Sequence, residues 1–325
     1  MKFPNILTPL KVIATASKDD ASAPILFNEN AKNPYITPYG RPLVSAHRSG
    51  AGIVPENTLM AFGLCLNSPE FDIDLFELDV HMTLDGELVV LHNNTYDATS
   101  NSEEVFGRKD VRPEECALEQ LKVLNLGEHF ELDGEYPYRG LRGGNIPDTL
   151  RVHKLDEILD FVSANGKKKY YFSIDVKNRG ELGGKAADRL YRILGERDLY
   201  DRVIAASFNA SVTKHYDACC PGMTRSASPA EVLAFYYKCR SGAELGRVNY
   251  SLLQIPYGVY RKPWGAEIIN LGTRELINYA HKHDIAVQYW TVNRAEDMRK
   301  LCDNGADAIM TDYPDLAYAT FGRRC

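Results

Sequence analysis

His47-Arg48, Glu77-Leu78-Asp79, His92, Asp175-Val176-Lys177 and Trp290 place polar, chemically versatile side chains within or just after short apolar runs of this 325-residue chain. In an extended segment, residues two apart point the same way. Glu77 and Asp79 therefore share a face, as do Asp175 and Lys177, and His81 joins the first pair if its segment runs that far. Inward-facing carboxylates are costly unless they are paired or hold a cation. Three of them, Glu77, Asp79 and Asp175, form a hard oxygen set that suits Mg²⁺ or Ca²⁺ better than zinc. Two histidines, His47 and His92, can divide general-base and general-acid work. Arg48 offers a phosphate a bidentate fork, and Lys177 offers it a point charge. A divalent cation, two proton-transfer groups and two fixed positive charges are what phosphodiester cleavage requires.

Two further residues belong to the expected site more loosely. Glu56 follows Pro55 at the opening of a helical stretch, where an acid is favourable in the helix dipole whatever its function. In a site it would orient Arg48 or a metal-bound water. Trp290 ends an apolar run and is expected to wall the substrate pocket. The remaining histidines fall outside this pattern: His81 is expected to pack near a rim, and His129, His153, His215, His281 and His283 to be structural or solvent-facing.

The elements that must hold these residues follow from periodicity. Eight short apolar or β-branched segments bounded by turn residues read as buried strands: 43–47, 74–80, 169–176, 202–207, 223–228, 250–255, 285–291 and 306–311. Helical stretches are expected at 55–66, 154–165, 184–197, 210–218, 229–239, 273–283, 295–304 and 315–321. Eight strands in β–α alternation are the number a closed α/β barrel, a (β/α)8 TIM barrel, needs, and such barrels keep their chemistry at the C-terminal ends of the strands. His47, Arg48, Glu77, Asp79, His92, Asp175, Lys177 and Trp290 fall at or near such ends. Roughly 85 residues separate the second and third barrel strands, far more than a usual crossover. Within them 87–91 reads as a short extra strand, and about 93–145 reads as an insertion that helps shape the pocket. Residues 1–42, rich in Pro, Asn and Ala, read as an N-terminal arm, with the barrel spanning 43–325.

Composition limits the alternatives. A net charge of −6 without a basic run argues against nucleic acid as a partner. The apolar stretch near the N-terminus is broken by Pro4, Pro9 and Lys11, so no continuous signal-peptide core is expected, and no apolar run is long enough to span a membrane. Seven cysteines without a metal-binding spacing suit reduced thiols in a cytoplasmic protein. The expected partner is a small-molecule phosphodiester; oligomeric state is left open.

Three blocks in order carry a resemblance. His47-Arg48-Ser49-Gly50 through Pro55-Glu56-Asn57-Thr58 resembles the opening signature of the glycerophosphodiester phosphodiesterase family. Glu77-Leu78-Asp79-Val80 through Asp85-Gly86 to Leu91-His92 is similar to its second block. Trp290-Thr291-Val292-Asn293, followed by Gly305-Ala306-Asp307 and Thr311-Asp312-Tyr313-Pro314, is similar to its C-terminal signature. The resemblance covers residues 43–318. It implies a (β/α)8 barrel with an inserted segment after the second strand and a divalent cation on Glu77, Asp79 and Asp175. It further implies His47 and His92 as the acid–base pair, Arg48 and Lys177 on the phosphate, and products sn-glycerol 3-phosphate and an alcohol. The chain departs from the pattern at Ser49 (usually Gly), Asn93 (commonly Asp) and Asp175 (usually Glu). The Asp-x-Lys arrangement is similar to sphingomyelinase D-like phospholipases, which makes a phospholipase D-like activity on lysophospholipid or sphingomyelin one alternative. A non-catalytic barrel that binds a phosphodiester is another.

Overall fold

The computed structural model describes residues 24–25, 31–261 and 267–322. Most of the expected arm and the broken apolar stretch within it, residues 1–23 and 26–30, lies outside the described residues.

The strands are β1 (Leu43–Ala46), β2 (Leu75–Met82), β3 (Leu88–Val90), β4 (Tyr171–Val176), β5 (Val203–Ala206), β6 (Thr224–Arg225), β7 (Leu252–Pro256), β8 (Val259–Arg261), β9 (Glu267–Asn270), β10 (Ala286–Trp290) and β11 (Ala308–Thr311). Eight of them form one parallel sheet in the order β6-β5-β4-β2-β1-β11-β10-β7. Its two ends meet through a parallel bridge between Ser226 and Leu252, where Ala227 N–H donates to Leu252 O at 2.8 Å. The result is a nearly closed barrel with a helix between most successive strands. All eight expected strands are present, and β3 is the expected extra one, pairing antiparallel with β2. The β8–β9 hairpin was not anticipated.

The helices are α1 (Leu59–Asn67), α2 (Ser102–Phe106), α3 (Leu118–Leu121), α4 (Leu155–Asn165), α5 (Gly180–Gly195), α6 (Ala210–Cys219), α7 (Pro229–Ser241), α8 (Arg274–Lys282), α9 (Ala295–Asn304) and α10 (Pro314–Ala317). Local chemistry explains their starts. Thr58 caps α1 by accepting from Ala61 N at 3.2 Å, and Ser228 with Glu231 forms a capping box on α7 after which Pro229 takes the first helical position. None of the helices among the described residues is long and apolar enough to cross a membrane.

Strand β2 shows how the barrel sorts its side chains. All eight of its residues are buried, as expected for a strand covered on both faces. Phe76, Leu78 and Val80 join the large core beneath the helices. Leu75 instead meets Tyr35, Ile204, Leu252 and Ala286 on the barrel floor. Above that floor lies a polar layer in which Gln254 Nε2 donates to Ser173 Oγ at 2.8 Å and to Gln288 Oε1 at 3.1 Å. Pairing of Glu77 with Ser173 and of Asp79 with Asp175 across β2 and β4 sets two carboxylates level at the top. The described segment 31–42 passes under the floor. There Asn33 Nδ2 donates to Ser251 O and Asp284 O, and Thr37 N donates to the buried Asp307 carboxylate at 2.9 Å.

The long connection between β3 and α4 builds a satellite core of Leu91, Tyr96, Val111, Leu121, Leu124 and Val152 against Val89. Glu128 ties it together, accepting from Asn125 Nδ2, Gly140 N and Arg142 Nη1.

Strand β6 is only two residues long, so side chains must hold it. Arg225, whose side chain is 3% exposed, donates to Asp217 through Nε (2.7 Å) and Nη2 (2.8 Å) and to Glu231 through Nη1 and Nη2 (both 2.9 Å). Burial opposes ionisation of both carboxylates, but their hydrogen bonds to Arg225 outweigh it and keep them below the usual carboxylate range. Their contribution is therefore present above the ordinary carboxylate pKa and is lost as pH falls through the lowered values. Arg225→Met is expected to cost about 2–3 kcal/mol, less than for fully buried charges because both carboxylates reach water. Urea unfolding checks this, and the variant should also lose less stability than the parent between neutral and acidic pH. A cost under about 1 kcal/mol would reduce the network to a surface ion pair.

Candidate active site

The C-terminal rim of the barrel gathers the expected residues from β1, β2, β3, β4 and β10. After β1 the chain turns through Arg48 (φ 48°), Ser49 (φ 63°) and Gly50 (φ 99°), three consecutive left-handed residues. That turn is held from three sides. Arg48 N donates to Glu77 Oε2 at 2.8 Å, Gly52 N donates to Asp312 O at 2.9 Å, and Asn57 N donates to Arg48 O at 3.0 Å. A side chain at Gly52 would collide with the Tyr313 ring, whose nearest atom lies 2.5 Å from the Cβ position.

The turn aims His47 and Arg48. His47 Nδ1 lies 2.6 Å from Asp312 Oδ1. An ionised carboxylate can only accept, so Nδ1 carries the proton and Nε2 is left facing Glu77 Oε2 at 3.9 Å. Asp312 is held in turn by Asn293, whose Nδ2 donates to its Oδ2 at 2.6 Å; Asn293 Oδ1 accepts from Thr311 Oγ1 and Asp312 N, both at 3.0 Å. The C-terminal signature thus acts on the first histidine. Burial favours the neutral imidazole, but Glu77 and Asp312 outweigh it and raise the His47 pKa. Arg48 Nη1 donates to Glu56 Oε2 at 2.9 Å.

Level with this pair, Lys177 Nζ sits 2.7 Å from both Asp79 Oδ1 and Asp175 Oδ2. Burial opposes the ammonium, yet Asp175 and Asp79 raise its pKa. Asn57 Nδ2 donates to Asp79 Oδ2 at 3.4 Å. Burial, and then Asp79, pushes Glu77 well above the usual carboxylate range. His92, at the end of the β2–β3 hairpin, is partly buried, and its Nδ1 lies 3.1 Å from Asn93 Oδ1. Burial lowers its pKa against the pull of Asp79. His81 is buried within β2, hydrogen-bonds the backbone of His92, and is pushed down to about 4 by burial, so it is neutral and structural. Trp290 tops β10 and meets the Phe208 ring edge-on, centroids 5.7 Å apart.

The mouth carries a surplus of negative charge. Glu56, Glu77, Asp79, Asp175 and Asp312 face Arg48 and Lys177 as fixed cations, with His47 added when protonated. Among the described residues no three acidic, histidine or cysteine side chains converge closely enough to form a ready cation cage, because the Lys177 ammonium lies between Asp79 and Asp175. The donor chemistry nevertheless fits a hard divalent ion. Asp175 Oδ1 is buried without a hydrogen-bond partner, and burial together with the neighbouring Asp79 raises the proton affinity of Glu77, which a bound cation would relieve.

Two residues that the sequence reading left without a role emerge here. Asp312 lay inside a quoted motif, and Phe208 lies two residues past the end of β5; the rule that chemistry collects just after a barrel strand finds both. Asp312→Asn leaves the shape but offers an amide where the imidazole N–H needs an acceptor. Turnover should fall by about 10²–10⁴-fold with unfolding midpoints unchanged. A loss under about tenfold would remove Asp312 from the support of His47. Ser49 is fully buried, left-handed, and its Oγ has no hydrogen-bond partner. Ser49→Gly should therefore raise stability by about 1 kcal/mol in thermal unfolding, and a destabilised variant would contradict a strained turn.

Known proteins resemble this chain in sequence and in fold. The model of the Glycerophosphoryl diester phosphodiesterase family matches residues 47–316. A glycerophosphodiester phosphodiesterase of Caldanaerobacter subterraneus is 31% identical over 276 residues, covering 84% of this chain and 95% of that one. A human lysophospholipase D is 24% identical over 296 residues, covering 83% and 82%. Among solved structures, a glycerophosphodiester phosphodiesterase from Agrobacterium tumefaciens superposes with a TM-score of 0.60 at 19% identity, covering 84% and 97%. An Oleispira antarctica phosphodiesterase in complex with sn-glycerol-3-phosphate does so with 0.63 at 20%, covering 87% and 97%. With a family match across most of its length on a barrel of the same architecture, the chain belongs to the glycerophosphoryl diester phosphodiesterase family.

Proposed function

We propose that this protein hydrolyses glycerophosphodiesters to sn-glycerol 3-phosphate and an alcohol, with a divalent cation, Mg²⁺ or Ca²⁺, and with His47 and His92 as the acid–base pair. The observation that carries the reading is the alignment of His47, oriented by Asp312, beside the Glu77, Asp79, Lys177 and Asp175 cluster at the barrel mouth. Its activity is supported by the 31%-identical relative named for it.

Glu77, Asp79 and Asp175 would hold the cation. When bound, it supplies Lewis acidity toward a phosphate oxygen and makes the attacking oxygen easier to deprotonate. Arg48, steadied by Glu56, and Lys177 hold the negative oxygens of the diester. One histidine removes a proton from the nucleophile, either water or the neighbouring glycerol hydroxyl. The other delivers a proton to the departing alkoxide. His47 works through Nε2, since Nδ1 is committed to Asp312. Net reaction adds one water across one P–O bond. Trp290 walls the pocket on the far side of Lys177. We also place the protein in the cytoplasm, where its six described cysteines, all free, stay reduced.

A second reading, a phospholipase D-like reaction on lysophospholipids, draws on the Asp175-Val176-Lys177 segment and on the human relative. The two separate in one assay. Glycerol 3-phosphate release from glycerophosphocholine should be abolished by EDTA and restored by Mg²⁺ or Ca²⁺, and His47→Ala or His92→Ala should each lower turnover at least about 10²-fold. Release only from lysophosphatidylcholine would favour the second reading. Tight binding without turnover at any metal would leave a phosphodiester-binding barrel.

A further inference from the structure

The barrel mouth is divided into two chemically distinct halves. β1, β2 and β4 present the charged groups. On the other side, Phe208 follows β5 and Trp290 tops β10. In the sheet, β6 and β7 stand between those two strands, yet the rings meet edge-on at 77° with centroids 5.7 Å apart. The pair therefore spans the part of the mouth above β6 and β7. Phe208 is 63% exposed, and its ring centroid lies 5.7 Å from Lys177 Nζ. A single exposed aromatic is ordinary. An aromatic corner joined to the cation that receives the phosphate is a place for a substrate group.

Resting on the function proposed above, we propose that Phe208 and Trp290 bind the alcohol portion of the substrate and select a quaternary ammonium alcohol of the choline class. A phosphate held by Lys177 and Arg48 brings its esterified alcohol within reach of the Phe208 ring, whose centroid is 5.7 Å from Lys177 Nζ. Electron-rich ring faces attract a cation. Neither ring supplies a hydrogen-bond acceptor, so a primary ammonium would give up hydrogen bonds to water without replacement. A quaternary ammonium has none to give up. Lys177 does not oppose it, because in the substrate complex its charge is matched by the bound phosphate.

The test compares kcat/KM of the intact protein for glycerophosphocholine, glycerophosphoethanolamine and glycerophosphoglycerol. The choline substrate should lead. Phe208→Leu, which keeps an apolar side chain without a ring, should cut the choline-over-glycerol preference about tenfold, and Phe208→Tyr should retain it. Parallel losses on all three substrates, or an unchanged preference in Phe208→Leu, would overturn the proposal. So would a preference of the parent for lysophosphatidylcholine, which would give the corner to an acyl chain. A second readout does not need turnover. Trp290 is one of two tryptophans in the chain, so choline chloride should change tryptophan emission in the parent but not in Phe208→Leu or Trp290→Phe. If no diester is hydrolysed with any metal, the functional reading fails, while this titration still decides whether the corner takes choline.

Discussion

Too many carboxylates buried at one end of a barrel, with too few fixed cations to match them, is the constraint around which this structure is arranged. Glu77, Asp79 and Asp175 are each at least nine-tenths buried. Removing a charge from water is costly unless partners replace the solvent. Lys177 therefore sits between two of the acids, the backbone N–H of Arg48 is turned onto the third, and Asn57 is brought over from the loop. What remains uncompensated is the raised proton affinity of Glu77 and the bare oxygen of Asp175. The same imbalance that strains the resting fold is what would make a divalent ion welcome.

Satisfying that constraint goes with an irregular backbone turn after β1. Three left-handed residues in succession, two of them with side chains, are not a conformation that a turn adopts by preference. They persist because the turn is fixed by Glu77 on one side and by Asp312 and the Tyr313 ring on the other. The link from His47 through Asp312 to Asn293 and Thr311 joins the first strand of the barrel to the last. Residues far apart in sequence thus set one imidazole.

Much of this could be read without coordinates. The barrel strands announce themselves as short Val-, Ile- and Leu-rich runs because they are buried on both faces, and side-chain alternation alone put Glu77 beside Asp79 and Asp175 beside Lys177. Other features depend on contacts between distant segments. The start of α5 was expected at 184 and lies at Gly180, because Gly183 is needed inside the helix, where a Cβ would come within 2.7 Å of both Asn178 O and Val212. Local propensity reads those glycines as a boundary; packing overrides it. Strand β8 is only three residues long, too short for its alternation to be read from the sequence. The Asp312 contact to His47 spans 265 positions, and the Phe208 contact to Trp290 joins two strands that are not neighbours in the sheet. Neither leaves a local trace in composition or period.

The apolar floor has a consequence for traffic through the molecule. Tyr35, Leu75, Ile204, Leu252 and Ala286 close the barrel beneath the polar layer, each with at most 1% of its surface exposed. Among the described residues the site is thus a well closed at its floor. Water, diester, free alcohol and phosphomonoester would then share its mouth and use it in turn. On the function proposed above, the alcohol at the aromatic rim would depart first. The doubly charged monoester, held deeper by Arg48 and Lys177, would leave last, and its accumulation outside would then hold the well shut against the next substrate.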